Sequence, residues 1–197
     1  MANRYLNLIN SEYTPKLKPY MDLKFTDKNI SDRFDLEKEY IVFCPDAEFG
    51  PAKKWPTKKW LDLANLVKGN YQVVFVGVDT SIKLLSENTQ SGNYRNLIGR
   101  TSLEEATIIL SQAICVVSND SGLMHVAAAL DRPIVGIYGS SSPEYTPPLT
   151  QSDKRVIIYQ NMSCSPCFKK VCPLKHLKCL EDISVDSVRQ SITRLIQ

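Results

Sequence analysis

Short apolar runs alternate with stretches of helical periodicity along most of this chain. The runs YIVFC (40–44), YQVVFVG (71–77), AICVVS (113–118) and RPIVGIYG (132–139) lack polar alternation, which is typical of strands covered on both faces. RNLIG (95–99) and RVIIYQ (155–160) are predicted as further strands. Between and after the strands the pattern predicts helices over 57–68, about 80–88, 101–112, 121–130 and 184–197.

This order of elements predicts an α/β fold with a Rossmann-like, doubly wound parallel sheet in a single domain. Residues 1–38 have no strong period and are expected to form an irregular lead-in, and residues 39–197 form the domain. Ligands of such sheets bind beyond the C-terminal ends of the strands. The candidate site therefore lies in the loops that follow the strands, namely 45–56, 77–80, 118–122 and 139–148.

Composition places the chain among ordinary globular proteins. It has 197 residues, of which 43% are apolar and 23% charged, and a net charge of +3. No apolar run approaches the ~20 residues of a membrane-spanning helix, and the N-terminus lacks the apolar core of a signal peptide. We therefore expect a cytoplasmic protein, and the small net charge gives no reason to expect nucleic acid as a partner.

The loop PDAEFGPAKKWP (45–56) is long for a strand-to-helix connection and ends at a predicted helix start. A helix N-terminus beside Lys53 attracts anions, and Glu48 is a polar candidate in the same loop. In the next loop, GVDT (77–80), Asp79 follows a glycine and is a candidate for a ribose hydroxyl. A solvated surface loop and a plain turn are the alternative interpretations.

The stretch SNDSG (118–122) joins a buried strand to an Ala-rich helix. Asp120 or Ser121 can cap that helix. The same residues with Gly122 also suit a diphosphate, because the first backbone N–H groups of the helix point outward. His125 lies one turn into the helix, as a further ligand candidate or simply a packed side chain. The serine loop GSSSPEYTPPL (139–149) adds hydroxyls, among them Ser141, although a turn-rich connection has the same composition.

Six cysteines fall into two groups. Cys44 and Cys115 lie in apolar runs and are expected to be buried. The other four lie in the Cys-rich segment 164–179, which also contains His176: Cys164, Cys167, Cys172 and Cys179. Four soft ligands this close suit a tetrahedral structural zinc ion. Reduced thiols and local disulfides are the alternatives, the latter disfavoured in the cytoplasm.

Taken together, FCPDAEFGPAKKWP, NLIGRTSLEEATIIL, VVSNDSGLMHVAAALDRPIVGIYG and SSPEYTPPL resemble the C-terminal half of the lipopolysaccharide heptosyltransferases of glycosyltransferase family 9, with heptosyltransferase II as the most similar type. The resemblance implies one half of a GT-B fold, in which the C-terminal domain binds ADP-L-glycero-D-manno-heptose. It also implies a metal-independent, inverting transfer that needs no cofactor. The lipid A–core acceptor and the catalytic base belong to an N-terminal domain that this chain lacks.

Carried onto this sequence, the resemblance assigns Lys53 to the donor phosphate or heptose. It assigns Asp120, Ser121, Gly122 and His125 to the donor site at the helix start. No catalytic residue is assigned. The family usually has glycine where this chain has Asp46 and proline where it has Ser140, and the carboxylate is expected to repel a diphosphate or to change the loop.

Three interpretations remain open. The chain is the donor half of a truncated, split or excised heptosyltransferase, associated as a whole enzyme with the inner face of the inner membrane. Alternatively, it is a non-catalytic module that binds a nucleotide sugar or serves as a scaffold, with a metal at the Cys-rich segment. In the third, that segment senses metal or binds nucleic acid.

Overall fold

A computed structural model of the protein describes residues 21–22, 29–79 and 93–197. Its centre is a six-stranded sheet in the order β3-β2-β1-β4-β5-β6, with every neighbouring pair parallel. The strands are β1 (Tyr40–Cys44), β2 (Gln72–Phe75), β3 (Tyr94–Asn96), β4 (Cys115–Asn119), β5 (Ile134–Tyr138) and β6 (Arg155–Tyr159). The predicted doubly wound parallel sheet is confirmed.

Six helices and a short 3₁₀ turn at Pro51–Lys53 accompany the strands in the described ranges. The helices are α1 (Ile30–Phe34), α2 (Thr57–Val67), α3 (Leu103–Gln112), α4 (Gly122–Ala129), α5 (Lys178–Glu181) and α6 (Val185–Ile196). Four of the five predicted helices are present, whereas the helix predicted at about 80–88 lies outside the described residues. None of the described helices is long and apolar enough to cross a membrane.

Both faces of the sheet are covered, as its uninterrupted apolar strands require. On one face α2 and α6 pack over the sheet, and Trp60 of α2 lies 5.5 Å from Phe43 and 5.2 Å from Trp55 between ring centroids. On the other face α3 and α4 pack, and the buried Tyr40 hydroxyl donates to the carbonyl of Ile109 at 2.8 Å. The C-terminal ends of the strands are therefore held between two packed layers of helices.

The expectation of an irregular lead-in is wrong for residues 30–34. These residues form α1, whose Ile30 is fully buried in the cluster shared with α3, and Arg33 pairs with Glu105 of α3. Part of the predicted lead-in thus packs with the domain predicted for residues 39–197.

Local sequence signals were sufficient to predict the start of α3 and the buried cysteines of the strands. Ser102 accepts from the Glu105 N–H at 3.1 Å and donates its own N–H to the Glu105 carboxylate at 2.8 Å, which is a complete capping box. Cys44 and Cys115 are fully buried, as predicted, and burial raises the pKa of Cys115 to about 12.

Candidate functional site

The loops at the C-terminal ends of β1 and β4 are joined by the buried amide of Asn119. Its Nδ2 donates to the carbonyl of Pro45 at 2.6 Å, and its Oδ1 accepts from the Trp55 N–H at 3.1 Å. These two bonds hold the first and last parts of the lysine loop (45–56) against the end of β4. Asn119 lies in a motif that the sequence singled out, but its bracing role was missed because both partners are more than sixty residues away.

Lys53, Asp120 and Ser141 meet at the centre of this edge. Asp120 Oδ2 lies 2.5 Å from Lys53 Nζ and accepts from Ser141 Oγ at 2.5 Å. Asp120 is 4% exposed and Lys53 is 16% exposed, so this ion pair is largely withdrawn from water. Three separate loops are therefore fastened through one carboxylate, which orients the lysine and the serine hydroxyl.

The start of α4 is left without a side-chain cap, so the predicted capping by Asp120 or Ser121 is wrong. Ser121 occupies the N-cap position but makes no capping bond, and its hydroxyl lies 3.3 Å from that of Ser118. The Asp120 carboxylate is engaged by Lys53 and Ser141 instead. The first N–H groups of α4, beginning at Gly122, thus lack a side-chain acceptor within the described chain, which favours binding of an anion.

His125 stands on the first turn of α4 beside the same carboxylate. Its side chain is 45% exposed, and its Nε2 lies 3.9 Å from Asp120 Oδ1. Burial lowers the pKa of His125; the Lys53 charge lowers it further, and Asp120 opposes both. The ring is therefore largely neutral at pH 7 and can donate or accept a hydrogen bond.

Two other acids of this edge, Asp46 and Asp79, have partners other than Lys53. Asp46 is buried, and its Oδ2 accepts from the N–H groups of Val78 at 2.5 Å and Asp79 at 2.8 Å. Asp79 pairs with Lys54. Asp46 thus ties the loop after β1 to the loop after β2. The expected change of the loop relative to the family's glycine and the expected repulsion of a diphosphate both stay predictions.

A cavity of about 370 Å³ opens between these loops and the first turns of α3 and α4. Glu48, Ser121 and Gly122 lie on its wall, together with an apolar set: Val76, Val78, Leu103, Ala106, Leu123 and Val126. Such a volume, apolar with a few polar groups at one side, is typical of a small-molecule site. The cavity adjoins the uncapped end of α4, so one ligand can occupy both.

The Cys-rich segment (164–179) is fastened to the same edge. The carbonyl of Lys170 accepts from the Ala52 N–H at 3.0 Å, and the N–H of Phe168 donates to the carbonyl of Ser140 at 2.7 Å. Gly50 has a φ of +149°, and a Cβ there would lie 2.7 Å from the Lys170 carbonyl oxygen. The lysine and serine loops are thus braced by the main chain of this segment.

The four thiols of the segment line one small cavity of about 20 Å³ together with His176: Cys164, Cys167, Cys172 and Cys179. Backbone N–H groups, chiefly that of Leu177, hold the pKa of Cys172 below its usual value. Burial raises that of Cys179, and the other three thiols add to the rise. All four cysteines are free, and within the described residues no group of three His, Cys, Asp or Glu side chains is arranged to hold a metal ion.

Fold and site together define a Rossmann-like α/β domain with a candidate ligand site at the C-terminal ends of its parallel strands. Residues 3–178 match glycosyltransferase family 9 (heptosyltransferase), and the chain belongs to this family. It is 46% identical over 147 residues to lipopolysaccharide heptosyltransferase 2 of Salmonella typhimurium, covering 69% of this chain and 42% of that protein. With lipooligosaccharide heptosyltransferase 2 of Haemophilus influenzae it shares 41% identity over 179 residues, or 80% of this chain and 51% of that one.

Among solved structures, ADP-heptose LPS heptosyltransferase II of Escherichia coli matches with a TM-score of 0.77 and 34% identity, over 93% of this chain and 55% of that chain. A family 9 glycosyltransferase of Veillonella parvula shares the fold with a TM-score of 0.79 at 18% identity, over 99% of this chain and 59% of that one. The chain spans about half the length of the curated relatives it matches.

Proposed function

We propose that this chain binds the ADP-sugar donor of a heptosyl transfer. The observation that supports this most strongly is the uncapped start of α4 beside Lys53. Helix N–H groups and an oriented ammonium group are the donors that a diphosphate needs. We assign ADP-L-glycero-D-manno-heptose or another ADP-sugar as the donor, an assignment supported by the relatives named heptosyltransferase and by the similar structure named ADP-heptose LPS heptosyltransferase II.

We place the nucleoside in the 370 Å³ cavity and the diphosphate at Ser121 and Gly122. Glu48, on the cavity wall, is the acid that we assign to a ribose hydroxyl. Asp79 is the second candidate for that role, although its carboxylate pairs with Lys54. Ser141 and His125 flank Lys53 and are assigned to the diphosphate or the heptose.

In the proposed reaction an acceptor hydroxyl forms a bond to the anomeric carbon, and the bond from that carbon to ADP breaks with inversion. Lys53 and the first N–H groups of α4 stabilise the negative charge that develops on the leaving diphosphate. The hydroxyl proton goes to a general base, which we assign to an acceptor-binding domain outside this chain. No cofactor is needed for these steps, and a lipid A–core acceptor would place the reaction at the inner face of the inner membrane.

Calorimetric titration of the chain with ADP tests donor binding, with UDP as the control nucleotide. Lys53→Ala should weaken ADP binding by about tenfold or more, because a charge-assisted contact is lost. Lys58→Ala, at an exposed lysine of α2, is the matched control and should leave the affinity unchanged. Absence of heat and of any ADP-dependent shift in melting temperature would refute the proposal.

We further propose a structural zinc ion held by the four thiols of the Cys-rich segment. A shared cavity and a soft donor set support the proposal. The thiol side chains would have to move toward one another, since they are not grouped for a metal in this structure. Protein purified without chelator should contain about one equivalent of zinc or iron. Less than about a tenth of an equivalent would refute the metal site but would leave the donor site untouched.

A further inference from the structure

Exposed apolar side chains are concentrated in the Cys-rich segment and in the two loops fastened to it. Phe168, Val171 and Leu174 of the Cys-rich segment are 51%, 65% and 57% exposed, and Tyr145 and Phe49 are 61% and 40% exposed. We call these five residues, with Lys169, Lys170 and Lys175 between them, the apolar–basic surface. It holds five of the nine large exposed apolar residues in the described part of the chain. Apolar clusters of this kind usually mark an interaction site.

Four members of the apolar–basic surface are joined in pairs. The rings of Tyr145 and Phe168 lie 5.8 Å apart, and Lys170 Nζ lies 5.8 Å from the ring centroid of Phe49. The bonds from Ala52 to Lys170 and from Phe168 to Ser140 fix the main chain beneath them. The main chain of the Cys-rich segment is therefore fixed to the lysine and serine loops at this surface.

Charge in the part of this surface that comes from the Cys-rich segment has a single sign, whereas the exposed Glu48 and Glu144 stand next to Phe49 and Tyr145 in the sequence. Residues 154–180 contain no Asp or Glu, and they contain six Lys or Arg residues: Lys154, Arg155, Lys169, Lys170, Lys175 and Lys178. Lys169, Lys170 and Lys175 are all exposed, directly beside the exposed Phe168, Val171 and Leu174. An ordinary protein partner requires apolar area, but it does not require acids to be absent over 27 residues.

We propose that the apolar–basic surface docks on an anionic lipid bilayer. Apolar side chains next to lysines match the two layers of such a surface, because the side chains enter the acyl boundary while the lysines meet anionic headgroups. Phe49 belongs to this surface and also lies 5.0 Å from Lys53 Nζ. Docking would therefore hold the candidate donor site next to the headgroups. Lipid docking does not depend on ADP binding, so either proposal can be refuted while the other stands.

Cosedimentation with vesicles tests the proposal. The full 197-residue chain should bind vesicles containing about 30 mol % phosphatidylglycerol and not vesicles of phosphatidylcholine alone. Binding should fall when salt is raised to about 0.5 M, since headgroup attraction is screened. Lys169→Gln with Lys170→Gln should weaken binding about 30-fold, at roughly fivefold for each lysine. Leu174→Ser should weaken it about tenfold.

Matched variants on α2 separate this surface from general effects of charge and polarity. Leu66 is 52% exposed, close to the 57% of Leu174, and Lys58 and Lys68 are also exposed. Leu66→Ser and the pair Lys58→Gln with Lys68→Gln should leave vesicle binding unchanged. Because all these positions are at the surface, the substitutions should not disturb folding, and an unchanged melting temperature checks this.

Three outcomes would overturn the proposal. The first is equal binding to both kinds of vesicle, or to neither. The second is loss of binding in the α2 variants to the same degree as in the variants of the apolar–basic surface. The third is reversible self-association that Leu174→Ser abolishes in sedimentation velocity, because the surface would then belong to a second copy of the chain.

Discussion

Removal of the Asp120 carboxylate is the most direct test of the candidate site. Asp120→Ala takes away the acceptor of both Lys53 and Ser141 and leaves the lysine charge without its partner. Breaking a buried ion pair from one side costs about 3–5 kcal/mol of unfolding free energy. Lys53 is 16% exposed and can gain some water, so we expect about 3 kcal/mol.

Two further variants separate the charge from the hydrogen bonds. Asp120→Asn keeps an oxygen that can accept from Ser141 and should cost about 1–2 kcal/mol. The double variant Lys53→Ala with Asp120→Ala leaves no unpaired charge. Its loss of unfolding free energy should be about 2 kcal/mol smaller than the sum of the losses in the two single variants.

The assay is equilibrium unfolding in urea, with the slope of the transition checked to be unchanged among variants. The exposed i, i+4 pair of Lys58 and Asp62 on α2 is the matched control, and its coupling should be about 0.3–0.5 kcal/mol. If the coupling between Lys53 and Asp120 were no larger than that of the control pair, the three-loop junction would not exist in solution.

Three other predictions concern the C-terminal ends of the strands and two helix starts. Asp46→Gly should lower the unfolding free energy by about 2 kcal/mol, because two bonds to backbone N–H groups are lost. Removal of the second carboxylate oxygen, which is buried and unpaired among the described residues, offsets part of that loss. An unchanged urea midpoint would contradict this prediction. ADP affinity should rise as pH falls from about 7.5 to about 5.5, because a bound diphosphate raises the lowered pKa of His125. Calorimetry on His125→Gln should show a smaller pH dependence, namely that of the terminal phosphate of ADP alone. Ser102→Ala should cost about 1 kcal/mol, matched by Ser184→Ala at the start of α6, and a loss at neither would refute the capping argument.

The strands and most helices could be predicted because their signals are local. An uninterrupted apolar run such as YIVFC needs no partner to indicate a strand covered on both faces, and the capping box at Ser102 closes within three residues. The five-residue α1 escaped prediction because it is too short to show a helical period. Tertiary contacts hold it in place, among them the buried Ile30 and the pair of Arg33 with Glu105.

The sequence predicted which loops meet at the candidate site but not the bonds between their side chains. A carboxylate before a helix is expected to cap that helix, since the N–H groups are its nearest donors. Asp120 instead bonds to groups 67 and 21 positions away in the sequence, on loops that only the parallel sheet brings to one edge. Likewise Asp46 stood out as a departure from the family, but its amide partners after β2 depend on the neighbouring position of β1 and β2.

The contacts of Asp120 explain how the proposed diphosphate site can contain a carboxylate. A flexible lysine loses about 2 kcal/mol of rotamer entropy when a ligand fixes it. Here Asp120 and the packed loops fix Lys53 before any ligand arrives, and the same carboxylate orients Ser141. Because the carboxylate is 4% exposed and already accepts two bonds, its charge is largely offset by the lysine beside it. In the donor binding that we propose, the attraction for a diphosphate then comes chiefly from the uncapped α4 N–H groups, with Lys53 held in place to meet the charge.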